Sequence, residues 1–271
     1  MSQQSTITIS EEQVDLFREQ GYLAVERITT DEEVERMRAA YDEIFARRAG
    51  REEGHEYDLA GPDEEGTEPA LPQILEPRKY ADDLRDSLYE ANALAISTQL
   101  LGPECEVVGA HAILKPARTG VATPWHQDIS YWDPASNDLA LSVWMPLQPA
   151  TLENGCMHFV PQTHRAEVAP HHHIDNNPKI HGLEMDEGHF DVSTAVACPL
   201  PAGGATFHYS RTCHYTPPNT SGEPRRAFVL GFKVTQPPLE KARDFYWQQE
   251  TDTYAAKKRE AAQAGNAESS S

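Results

Sequence analysis

The sequence predicts a mainly β protein in which helices precede an antiparallel sandwich or barrel. Three observations carry that prediction. Two helix-starting patterns open the chain, short β-branched and aromatic runs take over after Cys105, and no helices alternate with those runs as a parallel α/β fold would require.

Ser10-Glu11-Glu12-Gln13 has the form of a capping box. Val14, Leu16 and Phe17 then share one face until Gly21 stops the first helix. A short apolar stretch, Tyr22 to Val25, comes next. Thr30-Asp31-Glu32-Glu33 opens a second helix with Val34, Met37, Tyr41, Ile44 and Phe45 on one side. A third is expected over Tyr80 to Leu101. Their apolar faces need a partner, so residues 10–101 read as a helical scaffold. Within it, the acidic, glycine-rich residues 50–70 predict a mobile surface loop.

The expected β core, about 105–235, contains strand-like runs at Glu106 to Leu114, Leu139 to Pro146, Met157 to Val160, Ala205 to Tyr209 and Arg225 to Val234. Asn154-Gly155 predicts a hairpin turn, with Glu153 as a turn residue and His158, His164 and Arg165 as its supports. Residues 166–189 read as a long insertion in which His171, His172 and His173 form a solvated loop. Residues 236–271 read as an extension that ends, from Tyr254, in a frayed helix and a disordered tail. The expectation is one domain over 1–271.

Charge excludes several functions. With 43 Asp and Glu against 23 Lys and Arg, the formal net charge is -20. Such a surface repels nucleic acid and anionic membranes, and no run of about 18 apolar residues could span a bilayer. Met1 to Ser10 lacks the basic and apolar segments of a signal peptide, so the cytoplasm is the expected location. The four cysteines show no C-x-x-C spacing and read as reduced, buried thiols, including Cys213 beside His214.

The chemistry lies in histidine and aspartate. On a strand, residues i and i+2 point to one face, so His-x-Asp can present two ligands to one ion. Composition alone yields roughly 0.7 such triplets in the chain, and three occur: His126-Gln127-Asp128, His173-Ile174-Asp175 and His189-Phe190-Asp191. The second lies in a Pro- and Asn-rich stretch, and the third falls only 25 positions before His214. The first leaves 88 positions, room for several strands, and sits among Trp125, Tyr131 and Trp132, which read as core aromatics. For a third ligand His208 and His214 compete. The residues after His214 favour it: Pro217, Pro218 and Asn219 turn the chain, and Arg225-Arg226 open the next strand. A guanidinium eleven residues after His214 can reach the far carboxylate of a bound dicarboxylate, which its planar fork suits. Two imidazoles and a carboxylate on one face of iron leave positions open for co-substrate and O2.

These features in order resemble the phytanoyl-CoA dioxygenase family of iron(II)- and 2-oxoglutarate-dependent oxygenases. The resemblance spans roughly residues 10–235 and includes Gly21-Tyr22, Lys115-Pro116 with Gly120, the 126–128 triplet and Trp144. It continues through Glu153-Asn154-Gly155-Cys156, Val160 to Arg165, Gly203-Gly204, and His214 with Arg225. The resemblance implies a double-stranded β-helix (jelly-roll, cupin-like) core. It implies His126, Asp128 and His214 as catalytic iron(II) ligands, and Arg225 and Thr216 on the 2-oxoglutarate tail. His111 and Trp144 would line the same pocket, although His111 stands where an apolar or amide residue is more usual. Arg226 remains the rival of Arg225, because alternation sends one inward and one outward.

The implied activity is a dioxygenase that hydroxylates an unactivated C–H bond of a small molecule with release of succinate and CO2. Halogenating relatives carry a small residue at the carboxylate position, so Asp128 favours hydroxylation. Two alternatives are a cupin-type metalloprotein with a 2-oxoglutarate-independent activity and a non-catalytic small-molecule binder. A small-molecule substrate is expected, with neither nucleic acid nor membrane as partner. The substrate's identity and the oligomeric state carry no sequence signal.

Overall fold

The computed structural model describes residues 7–269, with side chains through residue 261. The parts of the two terminal expectations that fall on 1–6 and 270–271 lie outside the described residues.

The chain runs through α1 (Glu11–Gln20), β1 (Tyr22–Val25), α2 (Asp31–Ala46), β2 (Glu56–Asp58), β3 (Pro72–Leu75) and α3 (Leu88–Leu101). The core continues as β4 (Glu106–Lys115), β5 (Thr123–His126), β6 (Leu139–Pro146), β7 (Met157–Phe159), β8 (His171–His173) and β9 (Leu183–Met185). It closes with β10 (Val196–Cys198), β11 (Ala205–Tyr209), β12 (His214–Thr216), β13 (Arg225–Val234) and α4 (Tyr254–Ser269). Ser10 makes both bonds of the capping box, and Thr30 accepts from the Glu33 amide, so both helix starts obey the sequence pattern. The third helix begins at Leu88 instead of Tyr80. Its cap is Ser87, and short 3-10 turns occupy 77–79 and 82–84.

A seven-stranded antiparallel sheet, in the order β1-β11-β6-β13-β4-β3-β2, faces a four-stranded one ordered β10-β7-β12-β5. This is the jelly-roll core, and β8 and β9 form a separate pair. Alternation gives the large sheet two unlike faces. Leu141, Val143 and Met145 of β6 and Phe228, Leu230 and Phe232 of β13 pack with Phe17, Met37, Tyr41, Tyr89 and Ile96 from the helices. Burying each phenylalanine contributes about 1.5–3 kcal/mol. Tyr89 adds hydrogen bonds from its hydroxyl to the carbonyls of Val143 (2.9 Å) and Phe228 (3.1 Å). The opposite face carries Trp144, Ala227 and Val229 against Met157, Phe159 and Cys198 of the small sheet.

Three expectations are corrected. Residues 50–70 are no free loop: β2 pairs with β3 at the edge of the large sheet, Glu56 and Asp63 are buried, and Arg48 and Arg51 neutralise them. Asn154-Gly155 makes a turn but no hairpin, because β6 and β7 lie in different sheets. The His171–His173 run is a strand with both outer imidazoles buried. The helix expected from Tyr254 is α4, whose first amides (Tyr254, Ala255) bond to Asp63 at 3.0 and 2.9 Å.

Candidate metal centre

Strands β5 and β12 are neighbours, and their register sets His126 directly opposite His214. Strand β5 ends at His126. Gln127 stays extended (φ -121°, ψ 127°), so Asp128, the first residue of a 3-10 turn, points to the same side as His126. Alternation therefore works here without a continuing strand. One ligand atom from each of the three residues lies within 4.8 Å of the others, a span that one ion with bonds of about 2.0–2.2 Å can bridge.

The donor set fits a metal on its hydrogen bonds as well. Nδ1 of His126 donates to the Pro124 carbonyl and Nδ1 of His214 to the Thr212 carbonyl, each at 2.8 Å. Each Nε2 then keeps its lone pair, and these atoms lie 3.6 and 3.4 Å from Asp128 Oδ1. Burial, together with nearby His214, lowers the His126 pKa and favours the neutral, ligating ring. Burial pushes the Asp128 carboxyl up, but the surrounding imidazoles of His214, His126 and His208 outweigh it and hold the group well below the usual carboxylate range.

His208, the rejected rival, sits beside the triad. Its Nε2 lies 3.2 Å from Asp128 Oδ2, and the Ser142 hydroxyl donates to that same oxygen at 2.6 Å. Both residues project from the inward face of the large sheet, where their registers pair them. Neither stood out as a partner of Asp128, because their joint position is set by strands far apart in the chain. His171 braces the triplet from below: its Nε2 accepts from the Gln127 amide at 3.2 Å. Gln127 in turn bonds to Arg211 and Ala169 through its side chain.

A cavity of about 730 Å³ runs through the centre. Arg225 lines it, 1% exposed, with Nε and Nη1 buried and unpartnered. Thr216 Oγ1 is likewise buried without a partner. The guanidinium packs over Trp144, 5.2 Å from the ring centroid. Burial pushes its pKa down to about 10, which leaves it cationic at neutral pH. These orphaned donors suit the carboxylate of a dicarboxylic acid. Alternation sends the two arginines to opposite faces of β13: Arg226 pairs with Asp42 at 2.6 Å, on the side of α2. His111 and Trp144 both line the cavity, from strands that flank β13. Burial lowers the His111 pKa, keeping that ring neutral.

Other expectations divide. Tyr131 and Trp132 line the cavity, Tyr131 also packing against the Leu183, Phe245 and Trp247 cluster, whereas Trp125 packs on Tyr215. His158 bonds to the Cys156 carbonyl just before its strand, while His164 and Arg165 hold the end of α1 through the Arg18 carbonyl. Burial pushes the Cys213 thiol up to about 12, so it is an inert packing group. Neither His173 nor His189 joins the triad: His173 bonds to the Ile180 and Trp247 carbonyls, and His189 is exposed.

Two histidines and an aspartate inside a jelly roll, beside a buried arginine, describe the class of iron(II)- and 2-oxoglutarate-dependent oxygenases. The chain belongs to the phytanoyl-CoA dioxygenase (PhyH) family, whose pattern it matches over residues 17–227. It is 38% identical to EvdO2 from Micromonospora carbonacea var. aurantiaca, a structure solved with 2-oxoglutarate. That match covers 90% of this chain and 99% of the other, with a TM-score of 0.76. It is 25% identical to the methylphosphonate hydroxylase of Gimesia maris over 84% of this chain and 82% of that one. It is also 25% identical to a probable α-ketoglutarate-dependent hypophosphite dioxygenase of Stutzerimonas stutzeri, over 80% and 76% of the two chains. The protein is thus a dioxygenase that uses Fe(II), 2-oxoglutarate and O2. Among the described residues no helix is long and apolar enough to cross a membrane.

Proposed function

We propose that this enzyme hydroxylates an unactivated C–H bond of a small molecule and releases succinate and CO2 from 2-oxoglutarate. His126, Asp128 and His214 would hold Fe(II), Arg225 and Thr216 the distal carboxylate of 2-oxoglutarate, and His111 and Trp144 the walls around it. The observation that carries this reading is Arg225: a buried, unpaired guanidinium opens onto the cavity that the triad also lines. An uncompensated buried charge is costly unless a partner arrives, and a dicarboxylate supplies one.

When bound, the iron and the keto acid supply the oxidising chemistry. The chain's own residues orient and insulate it. Nδ1 bonds fix both imidazoles, His208 and Ser142 hold one oxygen of Asp128 away from its ligating edge, and Trp144 covers the guanidinium. The buried walls exclude water from reactive species. Lys115, buried beside Arg225, is tied to the Thr216 and Pro217 carbonyls at 3.0 and 2.8 Å and so braces β12.

The test is anaerobic titration of the Fe(II) protein with 2-oxoglutarate, monitored through the weak visible charge-transfer band, then succinate release across a substrate panel. His126→Ala should abolish both. If Arg225→Ala binds 2-oxoglutarate like the parent protein, the assignment of the co-substrate site is wrong.

A further inference from the structure

The proposed reaction assigns no occupant to the part of the cavity beside β2, the edge strand of the large sheet. Three segments with no chemical signature in sequence meet there: β2 supplies Tyr57, the turn before β9 supplies His181, and α4 supplies Arg259. They are neighbours. The Arg259 guanidinium carbon is 5.7 Å from the Tyr57 ring, and that ring is 4.2 Å from His181. His181 stacks on Tyr131 at 6.1 Å, and Tyr131 meets His126 edge-on at 6.0 Å. These successive contacts link Arg259 to the candidate metal ligands.

Its polar groups are donors with capacity to spare. Arg259 donates from Nη1 to the Gly54 carbonyl at 2.6 Å, and no ion pair engages it among the described residues. Of the acids lining this end, Glu76 is already paired with Arg78 at 3.0 Å, and Glu260 is exposed at the rim. Nδ1 of His181 is buried without a partner. A bare lone pair is tolerated there more readily than an orphaned N–H, which places the proton on Nε2, the ring's remaining polar atom. Burial, then Arg259, pushes the His181 pKa down to about 3, so the ring stays a neutral donor at physiological pH. The Tyr57 hydroxyl accepts from Gln73 Nε2 at 2.6 Å and keeps its hydrogen for another acceptor.

We propose that Arg259, His181 and Tyr57 form a substrate subsite for an acidic group, a carboxylate or phosphonate-type oxyanion, in the part of the cavity beside β2. The proposal rests on the oxygenase reading above, because it needs the keto acid to occupy the part beside Arg225. Arginine's fork binds such oxyanions bidentately, and neutral N–H and O–H donors complete the shell. The substrate's remaining carbon skeleton would then extend past Tyr131 toward the triad.

The experiment loads the full chain with Zn(II) and saturating 2-oxoglutarate, then titrates ethylphosphonate and butyrate by calorimetry. Butanamide and 1-butanol serve as uncharged counterparts. At least one acid should bind about tenfold or more tightly than the uncharged pair, and which acid it is identifies the oxyanion. Arg259→Met and His181→Phe should each weaken that acid by a similar factor, Arg259→Lys by less, with 2-oxoglutarate affinity unchanged. Equal binding of charged and uncharged probes, no acid binding, or undiminished binding in Arg259→Met would overturn the subsite. Failure of 2-oxoglutarate itself to bind the parent protein would overturn the oxygenase reading, and the subsite with it.

Discussion

The two faces of the large sheet are built by the same strands yet do opposite work. Toward the helices, β6 and β13 present Leu141, Val143, Phe228 and Leu230, all fully buried and apolar. One residue along, Ser142 and Trp144 of β6 and Arg225 of β13 face the cavity, joined by His111 and His208 from neighbouring strands. The helix side fills its space and leaves little polar to satisfy. The cavity side keeps unpartnered donors. Stability and chemistry are thus separated by a shift of one residue.

Substitutions on each face should expose this division. Phe228→Ala should cost about 3–5 kcal/mol in urea unfolding, since it opens a cavity under α2 and α3. Arg225→Leu should leave stability unchanged or raise it, because an unpaired buried charge is removed. It should nonetheless weaken 2-oxoglutarate binding by about 2–5 kcal/mol in calorimetry. A loss of fold stability comparable to that of Phe228→Ala would show that the faces are not separable.

His208→Leu should lower Fe(II) or Co(II) affinity about 10- to 100-fold, the usual range when a group orienting a metal ligand is lost. His208→Gln, which retains an N–H donor, should lose less, and thermal melts of the metal-free forms should stay close to the parent.

The buried strand β8 sharpens the comparison through pH. Burial pushes the His171 pKa down to about 3, while an unfolded histidine titrates near 6.5. The unfolded chain therefore binds the extra proton between those values. Stability from this group is complete above about pH 6.5 and falls by about 1.4 kcal/mol per pH unit below it. His171→Phe should flatten that slope in urea titrations between pH 7 and 5. The smallest effect is expected from Arg226→Ala. Its pair with Asp42 is partly exposed, so a change below about 1 kcal/mol should appear, with 2-oxoglutarate binding intact.

Sequence alone determined the patterns with a short period: both capped helices, the long strands β4, β6, β11 and β13, the His-x-Asp triplet and the spacing of His214 to Arg225. Each depends on neighbours a few residues apart, and local sterics and hydrogen bonding act at that range. The tertiary structure decided what depends on segments distant in the chain. It turned Arg225 to the cavity and Arg226 to Asp42, placed His208 on Asp128, buried the ends of the His171–His173 run and set α4 against Asp63. Strands of three residues, such as β8, β10 and β12, have too few positions to declare a period. They gain their form from the partners beside them, because a short strand's hydrogen bonds and buried surface exist only once those partners are in place.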